Sequence, residues 1–321
     1  MAFQHTKILV TQELPYEVEK RLQRDFDAIL NHGEALTQEQ ILSKAETVEG
    51  LIVTVTDRID AALIRALPDR IKIIANFGVG TEHIDMEAAR KSGILVTNTP
   101  GVLTEATADI ALLLLLGAAR RAGEGHVLVR DNAWRGWTPT SMIGHDVTGK
   151  RLGIVGMGRI GQAVARRAQA FSMEIHYHNR HRLLPVKEKG ALYHGTLEDL
   201  LTRSDFLSLH TALTPHTRGL LNGCTLSLLP RGAIVINTAR GDLVDDDALI
   251  AALKSGQVAA AGLDVFSGEP HIHTGYARLD NVFLLPHLGS ATSGTRMAMG
   301  FCALENLDAF FTGHKPPHLV S

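Results

Sequence analysis

The chain has 321 residues, 32 Lys and Arg against 34 Asp and Glu, and a net charge of −2, with 45% hydrophobic and 21% charged residues. This is the composition of a chain that packs large cores, and at roughly 150 residues per domain it predicts two of them. The balanced charge excludes a general nucleic-acid partner, the longest apolar run (110–119) falls short of the ~20 residues that span a bilayer, and residues 1–7 lack the apolar core of a secretory signal.

Short β-branched runs at 7–10, 50–55, 71–75 and 94–96 predict strands. Helical stretches at 16–25, 37–45, 61–67 and 86–92 lie between them. A long helix over 104–121 opens with Thr and Glu and ends in two arginines, which suits the helix dipole. Its middle, 110–116, is apolar on every side and is expected between other elements. Residues 122–149, with Trp134 and Trp137, follow neither period and read as an excursion or interface arm. A second series then begins, with strands at 151–155, 174–178, 206–209, 233–237, 260–265 and 282–285 and helices at 162–171, 197–202 and 246–255. Strands alternating with helices imply βαβ units and parallel sheets. The expected fold is α/β with two doubly wound domains, one Rossmann-like and one flavodoxin-like. The first is assigned 1–102 and the second 103–289; 290–321 is assigned to the first, a return that the strand pattern by itself leaves open.

Gly156-Met157-Gly158-Arg159-Ile160-Gly161 sits between an apolar strand and a helix, the context a dinucleotide-binding fingerprint requires. Gly156 permits the tight turn, Gly158 lets the backbone approach a pyrophosphate, and Gly161 allows close packing of helix on strand. An NAD site usually ends the next strand with a carboxylate for the ribose 2′-hydroxyl. Here Asn179 stands there, and Arg180 and Arg182 follow. A guanidinium pair suits a 2′-phosphate, so NADPH is expected over NADH, with NADH the alternative; a solvated basic loop is the structural alternative. His176, His178 and His181 have no acidic or Cys partner evident in the sequence, and with His271 and His273 they are not read as metal ligands. The two cysteines, Cys224 and Cys302, form no C-x-x-C and fit a reducing cytoplasm.

Three later segments put polar residues just after apolar strands, where open α/β sheets bind ligands: Asn237-Thr238-Ala239-Arg240-Gly241-Asp242, Asp264 through Glu269-Pro270, and Pro286-His287-Leu288-Gly289-Ser290-Ala291-Thr292. With Asn76-Phe77-Gly78-Val79-Gly80-Thr81-Glu82-His83-Ile84-Asp85 and the glycine fingerprint, these make the chain resemble the D-isomer-specific 2-hydroxyacid dehydrogenases along nearly its whole length. Within that family it looks most like the glyoxylate/hydroxypyruvate reductases.

The resemblance implies a role for each residue. Arg240 would pair with the substrate carboxylate and polarise its keto oxygen. His287 would protonate that oxygen as hydride arrives, and Glu269 would hold the far ring nitrogen and favour its protonated form. Val79 and Gly80 would offer backbone N–H groups to the carboxylate, with Val55 lining the substrate site. Arg159, Ile160, Thr107, His210, Thr238, Ala239 and Gly289 would lie at the cofactor, and Asp264 would hold the nicotinamide amide. Each also has a plain structural alternative, as a surface cation, a turn residue or a core histidine. Phosphoglycerate dehydrogenases resemble this chain but carry an arginine where Thr54 and Val55 stand. The sequence also ends at Ser321 without a regulatory domain, and formate dehydrogenases replace the glutamate with glutamine. The resemblance thus implies a small 2-keto acid substrate such as glyoxylate or hydroxypyruvate, with 2-ketogluconate as an alternative. It also implies a homodimer built on 104–148, with Trp134 or Trp137 either reaching a partner's site or packing as core. A dinucleotide-sensing binding protein is the reading from another class.

Overall fold

The computed structural model describes residues 3–320 and divides into two compact units, Met1–Leu103 with Ala291–Ser321, and Thr104–Ser290. The first unit contains strands β1 (Phe3–Val10), β2 (Phe26–Ile29), β3 (Gly50–Thr54), β4 (Ile73–Phe77) and β5 (Leu95–Thr97), with helices α1 (Tyr16–Asp25), α2 (Gln38–Ala45), α3 (Ala61–Ala66) and α4 (Met86–Lys91) between them. Three of these helices begin where a side chain takes up the orphan amides of the first turn. Thr37 and Gln40 make a reciprocal capping box, Asp60 accepts from Ala62 and Leu63 N–H, and Asp85 accepts from Ala88 N–H.

All pairings in this sheet are parallel, in the order β2-β1-β3-β4-β5, the flavodoxin-like arrangement. Side-chain alternation explains why the strands read as continuous apolar runs. Leu9, Leu51, Val53 and Ile74 enter a core beneath α2, α3 and α4, whereas Ile8, Val10, Ile52, Ile73 and Ala75 face the opposite way. That second core is closed by Val18 and Leu22 of α1 and by Ala303, Leu304 and Leu307 of the C-terminal helix, Ser293–Phe311. Strand β2 was not expected; its four residues are too few to show a period.

The second unit opens with α5 (Thr104–Ala119) and α6 (Ala122–Arg130). It continues with β6 (Arg151–Val155), α7 (Arg159–Gln169), β7 (Glu174–His178), α8 (Pro185–Glu188), β8 (Leu192–His194), α9 (Leu197–Leu201), β9 (Phe206–Leu209), α10 (Gly223–Ser227), β10 (Ala233–Asn237), α11 (Asp246–Ser255), β11 (Val258–Leu263) and β12 (Val282–Leu284). The C-terminal helix of the first unit is α12. The second sheet is parallel throughout, in the order β12-β11-β10-β9-β6-β7-β8. Counted within the unit this is 3-2-1-4-5-6 with a seventh strand added, a Rossmann-like sheet whose order reverses between β6 and β9.

Helix α5 lies directly on the sheet: a Cβ at Gly262 of β11 would stand 2.7 Å from the Leu114 carbonyl oxygen. The expected burial of 110–116 holds for Ala111, Leu112, Leu114 and Leu115, while Leu113 is 46% exposed. Strand β11 starts two residues earlier than expected because Val258 already pairs with Ala233. The stretch read as irregular contains α6, which buries none of its residues. Trp134 and Trp137 are 61% and 77% exposed, so neither packs as core within this chain. No helix among the described residues is long and apolar enough to cross a membrane.

Candidate active site

The glycine loop follows β6. Gly156 adopts φ +96°, and a Cβ there would lie 2.6 Å from the His210 carbonyl carbon, so the chain leaving β6 passes the end of β9 too closely for any residue but glycine. A Cβ at Gly161 would stand 2.3 Å from Gly156 O, which is the close packing of helix on strand. Gly158 differs: a Cβ there would meet nothing within 4 Å. It precedes α7 without offering a side-chain cap, so the first amides of α7, from Arg159 and Ile160 onward, are left for an anion. An open approach at Gly158 beside uncapped amides fits the pyrophosphate of a dinucleotide.

Asn179, just beyond β7, accepts a hydrogen bond from Met157 N–H through Oδ1 (2.7 Å), tying the end of β7 to the glycine loop. Arg180 is exposed and makes no ion pair among the described residues. Arg182, expected beside it at a 2′-phosphate, is instead turned onto Glu188, whose carboxylate takes both its Nε (2.8 Å) and Nη2 (3.1 Å). His176, expected to lack an acidic partner, has two polar neighbours. His176 Nδ1 lies 2.8 Å from His194 Nε2, and an acidic neighbour does exist, with Glu174 Oε1 3.2 Å from His176 Nε2. Among the described residues no group of three or more His, Cys, Asp or Glu could hold a metal ion.

His210 follows β9 and meets Ser208 Oγ (2.8 Å) and Thr238 Oγ1 (3.3 Å), which joins it to the end of β10. Burial lowers its pKa to about 4, so the ring is neutral near pH 7. The turn after β10 is shaped by Asn237, which sequence reasoning passed over. Its Oδ1 accepts from Ala239 N–H (2.9 Å) and its Nδ2 donates to Arg240 O (2.8 Å). This presents the Arg240 side chain, whose burial lowers its pKa against the opposing charge of Glu269.

Gly241 then presses on the loop that carries Glu269. A Cβ at Gly241 would stand 1.9 Å from the Phe266 carbonyl carbon and 2.1 Å from Ser267 N. The Ser267 hydroxyl donates to one oxygen of Asp242, and Arg218 pairs with the other. Glu269 Oε1 accepts from Phe266 N–H (2.8 Å), and its Oε2 lies 2.7 Å from His287 Nδ1. Burial pushes the Glu269 carboxyl up, but the hydrogen bonds from His287 and Phe266 N–H and the charges of His287 and Arg240 bring it below its ordinary value.

His287 is held in the left-handed region at φ +55°, a conformation a non-glycine residue adopts only when its surroundings impose it. Its N–H donates to Asp264 O (3.0 Å). The Asp264 carboxylate accepts from Leu288 N–H (2.7 Å) and Gly289 N–H (2.8 Å), and Thr107 Oγ1 donates to Gly289 O (3.1 Å). Burial raises the Asp264 carboxyl, and the two amides pull it back. Thr107, Asp264 and Gly289, expected at the cofactor, build the turn that aims His287 at Glu269.

In the first unit, a Cβ on Gly78 would stand 3.1 Å from Val55 Cγ1, so Val55 adjoins the turn carrying Val79 and Gly80. The three carbonyls of this turn are tied back. Asn76 Nδ2 donates to Gly78 O (3.1 Å) and Gly80 O (2.8 Å), Asn98 Nδ2 donates to Val79 O (2.8 Å), and Thr99 N–H donates to Gly78 O. The turn is therefore rigid, with its carbonyls committed.

Residues 112–289 match the family described as D-isomer specific 2-hydroxyacid dehydrogenase, NAD binding domain. The chain is 44% identical to a glycerate dehydrogenase from Hyphomicrobium methylovorum over 311 residues, covering 96% of each. It is 45% identical to a glyoxylate reductase from Thermococcus onnurineus, covering 98% of this chain and 96% of the other. Among solved structures it is similar to an NADPH-dependent glyoxylate/hydroxypyruvate reductase from Sinorhizobium meliloti in complex with NADP and malonate. That likeness has a TM-score of 0.90 and 34% identity, over 99% of this chain and 97% of the other.

Proposed function

The chain belongs to the D-isomer-specific 2-hydroxyacid dehydrogenases, NAD(P)-dependent oxidoreductases, and from that premise we propose that it reduces glyoxylate and hydroxypyruvate to glycolate and D-glycerate with NADPH. The observation that carries this is the Glu269–His287 pair facing the charge of half-buried Arg240, on the same sheet edge as an uncapped glycine loop. When bound, the reduced nicotinamide supplies the hydride. Arg240 pairs with the carboxylate of the 2-keto acid and polarises its keto oxygen, for which a planar guanidinium is suited. His287 gives a proton from Nε2 to that oxygen, and Glu269 on Nδ1 stabilises the imidazolium and fixes the ring. The N–H groups of Val79 and Gly80 bind the carboxylate, and the small Val55 suits a short substrate.

The preference for NADPH rests on the missing carboxylate after β7, where Asn179 stands, and on the exposed Arg180 that follows it. The exposed tryptophans and the lack of any fully buried residue in α6 support a homodimer formed through 104–148, and the two free cysteines support a cytoplasmic setting. Initial rates with a panel of 2-keto acids and both cofactors test the reading. The expected result is a higher kcat/KM for glyoxylate and hydroxypyruvate than for 2-ketogluconate, and for NADPH than for NADH. A higher kcat/KM with NADH overturns the cofactor preference, and absence of turnover with glyoxylate and hydroxypyruvate overturns the substrate assignment. A monomer at micromolar concentration in light scattering overturns the dimer.

A further inference from the structure

The segment between β7 and α8 is pinned at three places by side chains that the reaction does not use. The Tyr177 hydroxyl, on a residue with no exposed surface, donates to Glu188 Oε1 (2.6 Å) and accepts from Leu183 N–H (3.1 Å). Glu188 is 8% exposed although α8 is only four residues long, and it receives Arg182 as a two-nitrogen fork. The Arg182 guanidinium lies over the Tyr193 ring at 5.8 Å, and the Tyr193 hydroxyl donates to Asn179 O (3.3 Å). Asn179 in turn takes the Met157 N–H of the glycine loop. A fork that already satisfies a buried carboxylate and sits against an aromatic face cannot serve a phosphate without leaving the Glu188 charge unpaired, which is costly.

We propose that Arg182 is a positioning residue: the clasp of Tyr177, Glu188 and Arg182 holds Asn179 against the glycine loop, and discrimination for a 2′-phosphate falls to Arg180 alone. This rests on the proposed preference for NADPH, but the two claims fail separately.

The test is calorimetric binding of 2′,5′-ADP and of 5′-ADP, without turnover, to the wild-type protein and to Arg180→Ala, Arg182→Ala, Glu188→Gln and Tyr177→Phe. Loss of a charge-assisted phosphate contact in Arg180→Ala should cut the preference for 2′,5′-ADP by about tenfold or more. Arg182→Ala and Glu188→Gln should each weaken both ligands by about three- to tenfold and leave their ratio within about twofold. The double variant should be little worse than the worse single one, because both break one clasp. If Arg182→Ala does not fold, Glu188→Gln and Tyr177→Phe carry the same reading. A ratio that collapses in Arg182→Ala as it does in Arg180→Ala overturns the proposal. So do clasp variants that bind both ligands as the wild type does while losing only thermal stability. A wild-type protein that prefers 5′-ADP refutes the NADPH preference, yet equal losses for both ligands in the clasp variants would still establish the positioning role.

Discussion

Gly241→Ala is the smallest change that separates the Arg240 strand end from the Glu269 loop. The added Cβ would stand 1.9 Å from the Phe266 carbonyl carbon, where ordinary contact begins at 3.4 Å, so backbone must move by about 1.5 Å. A flexible side chain could yield to such a clash, but here the obstacle is main chain on both sides. Over-packing commonly costs about 1–3 kcal/mol, and rigid obstacles belong at the upper end. The loop that must retreat carries Glu269, held by Phe266 N–H, and through it His287. A misplacement of about 1 Å at a reacting group can cost on the order of 100-fold in rate. The expected outcome is a drop of about 100-fold in kcat/KM for glyoxylate with a loss of about 3 kcal/mol in stability, from initial rates and urea unfolding. Gly223→Ala is the control. It opens α10 with nothing within 4 Å of its Cβ and should be neutral or stabilising by about 0.4–1 kcal/mol. A Gly241→Ala enzyme with wild-type kcat/KM would refute the reasoning, since the Arg240–Glu269 spacing would then not depend on that contact.

His287→Ala should lower kcat by about 100- to 10,000-fold while fluorescence titration still shows NADPH binding; retained turnover would remove His287 as the acid. His210, whose pKa lies near 4 in the folded chain against 6.5 ordinarily, contributes stability that is full above pH 6.5 and drains as pH falls toward 4, because the unfolded chain takes the proton first. Over that range the loss is on the order of 3 kcal/mol, and urea midpoints between pH 7.5 and 4.5 should fall less steeply in His210→Gln than in the wild type. Phe283 of β12 fills the space above Gly117 and Gly123, with a ring carbon 2.3 Å from where a Gly117 Cβ would stand. Phe283→Ala should destabilise by about 2–3 kcal/mol in urea unfolding, and a loss below about 0.5 kcal/mol would show that the helices do not depend on it.

What the sequence disclosed and what it withheld divide along a physical line. The glycine fingerprint is a local device, strand then turn then helix within about 20 residues, so its role is written in one stretch of text. Arg240, Glu269 and His287 are legible because each follows an apolar strand of a parallel sheet, where the chain must surface at the ligand edge. Edge strands β2 and β8 and the four-residue α8 are too short to carry a period. Helix α6 has no buried face, so its apolar residues obey no core of this chain, and that is why the stretch read as irregular. Contacts that depend on two remote segments meeting leave no local trace. Nothing near Gly241 in sequence announces Phe266, and nothing near Asp242 announces Ser267 and Arg218.

Arg180 and Arg182 sharpen the point. They are two residues apart, chemically identical and equally basic, and pattern alone assigns them one task. Their environments differ because Glu188, six residues beyond Arg182, is drawn under the turn by the Tyr177 hydroxyl and takes one guanidinium out of use. A buried carboxylate must be satisfied by the nearest fork before any ligand arrives. The division of labour between the two arginines is therefore set by Tyr177 and Glu188 rather than by the arginines themselves, and substitutions at those two positions should alter how this chain holds a dinucleotide while leaving its glycine loop and both arginines in place.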